Sequence, residues 1–267
     1  MLALIAGQGA LPAALAKALE ASNQPFVVAA LKDSLPDCLD RDVDIVVDVA
    51  DLGAFFARLK SRGVTKVTMA GAVTRPDLGP TQDAASKQAQ GAWRGGDDTL
   101  LRVIIGLFED QGLSVVAAHD VLPDLLPDPA THGPLAPSPE DIADADRAQA
   151  VQAAIGSLDI GQACAVFAGQ VLAIETDFGT AAMLHSLAEI RQGARGGVFY
   201  KAPKPDQDRR ADLPIIGSDT VEQVAKAGLN GLVIQAGGVM VLDQPGVVAA
   251  LDRHGVFLWI RPQEVAP

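Results

Sequence analysis

The densest run of polar residues in the 267-residue chain lies at 201–214 and contains two lysines, two arginines and three aspartates. Carboxylates bind a divalent metal ion, and Lys and Arg side chains neutralise phosphoryl oxygens, so this mixture suits a pyrophosphate with Mg²⁺. Three prolines stiffen the run. The predicted catalytic residues are Lys201, Lys204, Asp208, Arg210 and Asp212. We predict Asp208 and Asp212 as metal ligands; an exposed loop without function is the alternative.

Two other loops carry candidates for phosphate and metal binding. Arg75 follows an apolar run that ends at Ala70, and loops after parallel strands line the binding crevice of such sheets. An arginine there suits a phosphate fork, and a solvated surface arginine is the alternative. Asp97 and Asp98 follow two glycines and suit Mg²⁺ or sugar hydroxyls. Asp98 is our third predicted metal ligand, with a helix N-cap as the alternative for either aspartate.

A glycine turn, Gly7-Gln8-Gly9, separates the first apolar run from a helical pattern. A turn that opens onto a helix N-terminus receives phosphates in many proteins, so Gly7 and Gly9 are predicted to bind substrate; a tight turn without a ligand is the alternative. The dinucleotide fingerprint is incomplete, because Pro12 stands in place of its third glycine. The runner-up function is therefore a nucleotide-dependent oxidoreductase on a Rossmann scaffold, with Asp33 near the position of its acidic residue.

Strand and helix patterns alternate in the first half of the chain. Buried strands are predicted from the apolar runs at 2–6, 25–31, 66–70 and 114–118. Helices are predicted from the apolar spacing over 11–21, 52–62 and 97–110. This alternation predicts a Rossmann-like α/β domain with a parallel sheet, over residues 1–132.

The segment 123–139 contains six prolines and predicts a linker or an extended crossover. Beyond it, a helix at 140–155 is followed by shorter strands and helices, with a hairpin around Ala168-Gly169. A second, catalytic α/β domain is therefore predicted over residues 140–267.

Composition excludes several classes of protein. The net charge of −12 argues against nucleic acid as a partner. The two cysteines, Cys38 and Cys164, are far apart and the four histidines have no ligand spacing, which disfavours zinc and disulfides. No stretch approaches the ~20 apolar residues that span a bilayer.

Short motifs occur in order through both halves of the chain. They are GQGALP at 7–12, GAVTRP at 71–76, GDDTLLR at 96–102, LDIGQ at 158–162, KPDQDRRADLP at 204–214 and GSDT at 217–220. Together they resemble the UDP-2,3-diacylglucosamine pyrophosphatase family of bacterial lipid A biosynthesis that is unrelated to the calcineurin-like phosphoesterases.

The resemblance implies Mg²⁺-dependent hydrolysis of UDP-diacylglucosamine to UMP and 2,3-diacylglucosamine 1-phosphate, with the ligand between an N-terminal Rossmann-like domain and a C-terminal α/β domain. It implies a cytoplasmic protein at the inner membrane surface, in peripheral contact with membrane lipid; a homodimer is compatible with the sequence. The residues and the resemblance together predict these substrate-binding residues: Gly7, Gly9, Leu11, Arg75, Asp97, Asp98, Arg102, Gln162, Thr180 and Gln207.

One position departs from the family pattern, which reads Glu-Gly-Thr-Asp before a helix. This chain has Phe178-Gly179-Thr180-Ala181 there, so an aspartate expected at 181 is absent. A non-catalytic protein that binds a sugar nucleotide or lipid is therefore a further alternative.

Overall fold

The computed structural model describes residues 1–74, 80–81, 83–92, 97–193, 195–205 and 207–262, apart from the side chains of residues 97 and 98. The chain divides into two compact units, Met1–Pro123 with Asp208–Asp212 and Asp124–Gln207 with Leu213–Pro267. Residues 208–212, predicted within the C-terminal domain, thus group with the N-terminal unit. Ala211 packs against the apolar core of that unit, which is the physical reason for the grouping.

The N-terminal unit contains five strands and five α-helices among its described residues. In chain order they are β1 (Leu2–Ala6), α1 (Ala10–Ala21), β2 (Phe26–Leu31), β3 (Ile45–Val47), α2 (Leu52–Ser61), β4 (Lys66–Ala70), α3 (Ala84–Ala92), α4 (Asp97–Asp110), β5 (Ser114–Val115) and α5 (Ala118–Val121).

The five strands of the N-terminal unit form one sheet in the order β3-β2-β1-β4-β5. Each neighbouring pair is parallel, as in a Rossmann-like sheet. Phe56 and Phe108, from α2 and α4, meet edge to face with ring centroids 5.6 Å apart in its core. The predicted parallel α/β fold of this half is confirmed.

The second unit contains eight strands and four helices among its described residues. They are β6 (Ala130–His132), α6 (Pro139–Ser157), β7 (Ala163–Phe167), β8 (Gln170–Ile174), α7 (Gly179–Arg191), β9 (Val198–Lys201), β10 (Ile215–Ile216), α8 (Ser218–Lys226), β11 (Gly231–Gln235), β12 (Met240–Val241), α9 (Gln244–His254) and β13 (Phe257–Arg261).

A mixed six-stranded sheet of order β6-β13-β11-β9-β7-β8 forms the centre of the second unit. The central strands β9, β11 and β13 are parallel, and β7 pairs antiparallel with both β8 and β9. Alternate residues of β7 enter different cores, because successive side chains of a strand point to opposite faces. Ala163 and Ala165 pack on one side, while Cys164 and Val166 pack on the other with Ala145 and Ala148 of α6.

Two segments differ from the prediction. The proline-rich segment is not wholly a linker, since β6 lies within it and pairs antiparallel with β13. The strand predicted at 114–118 is only two residues long, and α5 begins at Ala118. Among the described residues no helix is both long enough and apolar enough to cross a bilayer.

Candidate active site

The N-terminal sheet has its topological switch point between β1 and β4, where ligands of open α/β sheets bind outside the carboxyl ends of the strands. The N–H of Gly7, just after β1, donates to the Ala70 carbonyl at the end of β4 at 2.8 Å. Gln8 and Ala72 exchange two backbone hydrogen bonds of 2.8 and 3.0 Å. The glycine turn is therefore held directly against the loop that follows β4.

Close backbone contact explains Gly7, because a Cβ there would lie 2.3 Å from the Ala72 carbonyl oxygen. The N–H of Gly9 donates to Asp37 Oδ1 at 2.8 Å, and this hydrogen bond lowers the pKa of the Asp37 carboxyl. Leu11 is buried on the inner face of α1. These contacts give all three residues a structural role, and their binding of substrate stays a prediction.

Three predicted binding residues of the N-terminal half lie wholly or partly outside the described residues. Arg75 is not described, and the side chains of Asp97 and Asp98 are not described. Arg102 is described and lies exposed on α4. These predictions stay predictions.

Arg210 stands between two carboxylates of the N-terminal unit. Its Nε and one Nη donate to the two oxygens of Asp208 at 3.0 and 2.8 Å, a forked pair. Its other Nη donates to Glu109 of α4 at 2.7 Å. The hydrogen bond from Arg210 lowers the pKa of Asp208, and the positive charge of Arg102 adds to this effect. The same hydrogen bonds raise the pKa of Arg210 above its usual value.

Asp208 and Asp212 are the described members of the predicted metal set. The N–H of Asp212 donates to the Asp208 carbonyl at 3.3 Å, so the two residues lie within one turn of the chain. Among the described residues no group of three or more His, Cys, Asp or Glu side chains is placed to hold a metal. Mg²⁺ is commonly held by one or two carboxylates with substrate phosphates and water, so this pair has suitable donor chemistry.

Lys201 and Thr180 meet in the second unit, within a buried polar group. Lys201 Nζ donates to Thr180 Oγ1 at 2.9 Å and to the Ile215 carbonyl at 3.3 Å. The Thr180 hydroxyl donates to Glu175 Oε1 at 2.7 Å, and the backbone N–H of Gln162 donates to Glu175 Oε2 at 3.3 Å. The structure thus brings together three predicted site residues around a carboxylate that was not predicted.

Lys204 and Gln207 lie near each other in the second unit, just beyond β9. Lys204 Nζ donates to Asp159 at 2.5 Å, and its backbone N–H donates to the Gln207 side chain at 3.1 Å. Gln152 of α6 donates to the carbonyls of Ala202 and Pro203 at 3.1 Å each. The segment that carries Lys204 is therefore fixed by α6 as well as by its prolines.

Each unit thus holds at least one cation whose position is set by a carboxylate. Such cations stabilise the negative charge of a phosphoryl group, and neighbouring carboxylates suit a divalent metal ion.

Comparison with known proteins agrees with this chemistry. Residues 1–125 match the model of the LpxI N-terminal domain and residues 129–259 match that of the LpxI C-terminal domain. The chain belongs to the LpxI family. It is 40% identical, over 98% of both chains, to the UDP-2,3-diacylglucosamine pyrophosphatase LpxI of Caulobacter vibrioides.

Two carboxylates beside these cations were not among the predicted site residues. Glu175 immediately follows β8 and is buried, and Glu109 is the partner of Arg210. An acidic residue directly after a strand was an available signal for Glu175. Glu109 gave no such signal, since it lies 101 residues from Arg210 and reads as an exposed helix position.

Proposed function

We propose that the chain hydrolyses the pyrophosphate bond of UDP-2,3-diacylglucosamine and releases UMP and 2,3-diacylglucosamine 1-phosphate. The observation that carries this proposal is the 40% identity, over nearly the full length, to a curated pyrophosphatase of that name. Each cation–carboxylate group supports it separately, because such a cation offsets the charge of a phosphoryl group.

Water adds across the P–O–P bridge in this reaction. A bond forms between phosphorus and the water oxygen, the bridging P–O bond breaks, and each product carries one phosphate. We assign to Lys201, Lys204 and Arg210 the binding of phosphoryl oxygens and the stabilisation of charge in the transition state.

Asp208 and Asp212 are the residues that we propose to hold Mg²⁺. Their hard oxygen atoms and their position on one turn suit this ion. A bound Mg²⁺ would supply Lewis-acid neutralisation of the pyrophosphate charge. Asp208 retains acceptor capacity for it at Oδ2, which accepts one Arg210 Nη, whereas Oδ1 accepts both the backbone N–H and the Nε of Arg210.

The first experiment is hydrolysis of UDP-2,3-diacylglucosamine in detergent micelles, measured as UMP release with Mg²⁺, with EDTA, and with Mg²⁺ restored. We expect release with Mg²⁺, none with EDTA, and recovery on restoration. Release that persists in EDTA would remove the metal from the proposal and leave the hydrolysis. No release under any condition would contradict the function itself.

The second candidate function is substrate binding without catalysis, and the reason for it is Ala181. It is exposed in the first turn of α7, next to Thr180, where the family resemblance leads us to expect an aspartate. Substrate binding without UMP release, together with activity in Ala181→Asp, would favour an impaired enzyme. We expect the parent chain to turn over substrate.

We further propose that the protein acts in the cytoplasm at the inner membrane surface, because its substrate carries two acyl chains. Sedimentation with vesicles that contain the substrate lipid, compared with vesicles that lack it, tests this peripheral contact.

A homodimer is proposed as the assembly, and analytical ultracentrifugation without detergent tests it. A monomer at all concentrations would contradict it.

A further inference from the structure

Glu175 is a buried carboxylate that no predicted role explains. It is 7% exposed and directly follows β8. Its two oxygens accept from different elements, Thr180 Oγ1 at 2.7 Å and the Gln162 N–H at 3.3 Å. A Cβ on Gly161 would lie 2.2 Å from the Glu175 carbonyl oxygen. The backbone before Gln162 therefore passes directly against Glu175, which is held from two sides.

Lys201 is connected to Glu175 by two hydrogen bonds through the Thr180 hydroxyl, and the donor in each bond follows from the chemistry of the groups. An ammonium group only donates, and an ionised carboxylate only accepts. The single proton of the Thr180 hydroxyl must therefore point to Glu175, and its oxygen then receives the Lys201 ammonium at 2.9 Å. Glu175 thereby orients the hydroxyl that positions Lys201.

This arrangement has a poor explanation in stability alone. Lys201 is 6% exposed and Glu175 is 7% exposed, and taking two charges out of water costs several kcal/mol for each ion. Replacing a buried ion pair with apolar residues of similar volume often leaves the stability of the fold unchanged or increases it. Active sites are places where ionisable groups are buried beside specific partners in this way.

Lys201 also lies where a ligand of this sheet is expected. It is the last residue of β9, one of the parallel strands, and ligands of open α/β sheets bind beyond the carboxyl ends of such strands. We propose that Glu175 is a positioning residue of pyrophosphate hydrolysis, which acts through the Thr180 hydroxyl to hold the Lys201 ammonium toward a phosphoryl oxygen of the substrate. This inference rests on the proposed function.

The test is steady-state UMP release from UDP-2,3-diacylglucosamine by Glu175→Gln, Thr180→Val and Thr180→Ser, with thermal unfolding of each variant. We expect kcat to fall about 10- to 100-fold in Glu175→Gln and Thr180→Val, with KM changed less than about threefold, because a displaced group costs rate in the transition state. Thr180→Ser keeps the hydroxyl and should recover most of kcat.

A double-mutant cycle with Lys201→Gln separates positioning from a merely structural role. If Glu175 acts through Lys201, adding Glu175→Gln to Lys201→Gln should change kcat by less than about twofold. Glu189→Gln, at an exposed position of α7, and Thr176→Val, at an exposed turn, are matched controls that should keep full activity.

Failure of the positioning role can be distinguished from failure of the proposed hydrolysis. Two results would overturn the positioning role alone, provided that the parent enzyme releases UMP. One is a kcat of Thr180→Val equal to that of the parent, and the other is independent effects of Glu175→Gln and Lys201→Gln on kcat. A parent enzyme without UMP release would overturn the proposed function and this inference with it. Loss in Thr180→Val, recovery in Thr180→Ser and no further loss in the double variant would support the positioning role.

Discussion

Two groups of this molecule hold a cation against carboxylates in different surroundings. In the second unit, Lys201 and Glu175 are 6% and 7% exposed and meet through the Thr180 hydroxyl. In the N-terminal unit, the side chains of Arg210 and Glu109 are 43% and 49% exposed and meet directly. Charges interact more strongly and with less screening when they are buried.

The difference matches the two kinds of cation. Lysine is a compact point charge on a flexible stem, so its orientation must come from surrounding atoms. Arginine carries a planar fork that aligns itself on a carboxylate, as Arg210 does on Asp208. We therefore expect the lysine group to depend on burial and the arginine group to depend on fork geometry.

The largest effect is expected from Lys201→Met. The variant removes a buried cation from the proposed phosphate site, and kcat should fall about 10²- to 10³-fold, as for the loss of a strong transition-state donor. The thermal unfolding temperature should also fall, because Glu175 stays buried without its cation and removing one partner of a buried charge pair is destabilising. UMP release and thermal unfolding check both. Lys226→Met, at an exposed position of α8, is the control. A large loss of stability with normal kcat would make Lys201 structural.

Arg210→Lys should have the next largest effect. It keeps the charge and removes the fork on Asp208, so kcat should fall about 10- to 100-fold if geometry is essential. Arg253→Lys, at an exposed position of α9, should have the activity of the parent enzyme in the same UMP assay. Equal activity of Arg210→Lys would mean that charge alone is needed and would remove the contrast with Lys201.

A smaller effect is expected from Glu109→Gln, and its response to salt sharpens the comparison. Asp208 still aligns Arg210 in this variant, so kcat should fall only about two- to fivefold, because exposed ion pairs contribute little. The ratio of variant to parent kcat should approach one as ionic strength rises from about 0.01 M to about 1 M. The corresponding ratio for Glu175→Gln should stay nearly constant. The same salt response in both variants would contradict the expectation that burial shields the Lys201–Glu175 group more than the Arg210–Glu109 pair.

The smallest effect is expected on stability in acid. Hydrogen bonding to Arg210 lowers the pKa of Asp208 below its ordinary value of 3.8. The ion pair therefore stabilises the fold above about pH 4 and loses this contribution as the pH falls through the lowered pKa of Asp208. Urea unfolding should find the parent more stable than Asp208→Asn at about pH 7, by less than about 1 kcal/mol, with a smaller difference at about pH 3. A difference that grows on acidification would contradict this sign. Asp252→Asn, at an exposed position, is the control.

Most of the helices and strands could be predicted from local patterns, because burial of one face imposes a period on the sequence. The hairpin at Ala168-Gly169 was predicted in this way and is confirmed by the pairing of β7 with β8. Strand β3 and helix α3 were missed. Strand β3 is only three residues long, and α3 has few apolar positions, so neither has a strong period.

The candidate site was predictable only in part. Residue types indicated Lys201 and Arg210, since cations and carboxylates in one stiff run suit a pyrophosphate with a metal. Their partners were not predicted, because Thr180 and Glu109 lie 21 and 101 residues away along the chain. The need for glycine at position 7 likewise arises from the carbonyl of Ala72, which belongs to another loop.

The sequence by itself determined the α/β class, the family and the chemical types at the site, because these follow from local periodicity and from ordered motifs. Only the tertiary structure decided which carboxylate holds which cation, how deeply each is buried, and that residues 208–212 group with the N-terminal unit. Contacts between distant segments depend on how strands and helices pack in three dimensions. Local residue patterns do not predict that packing.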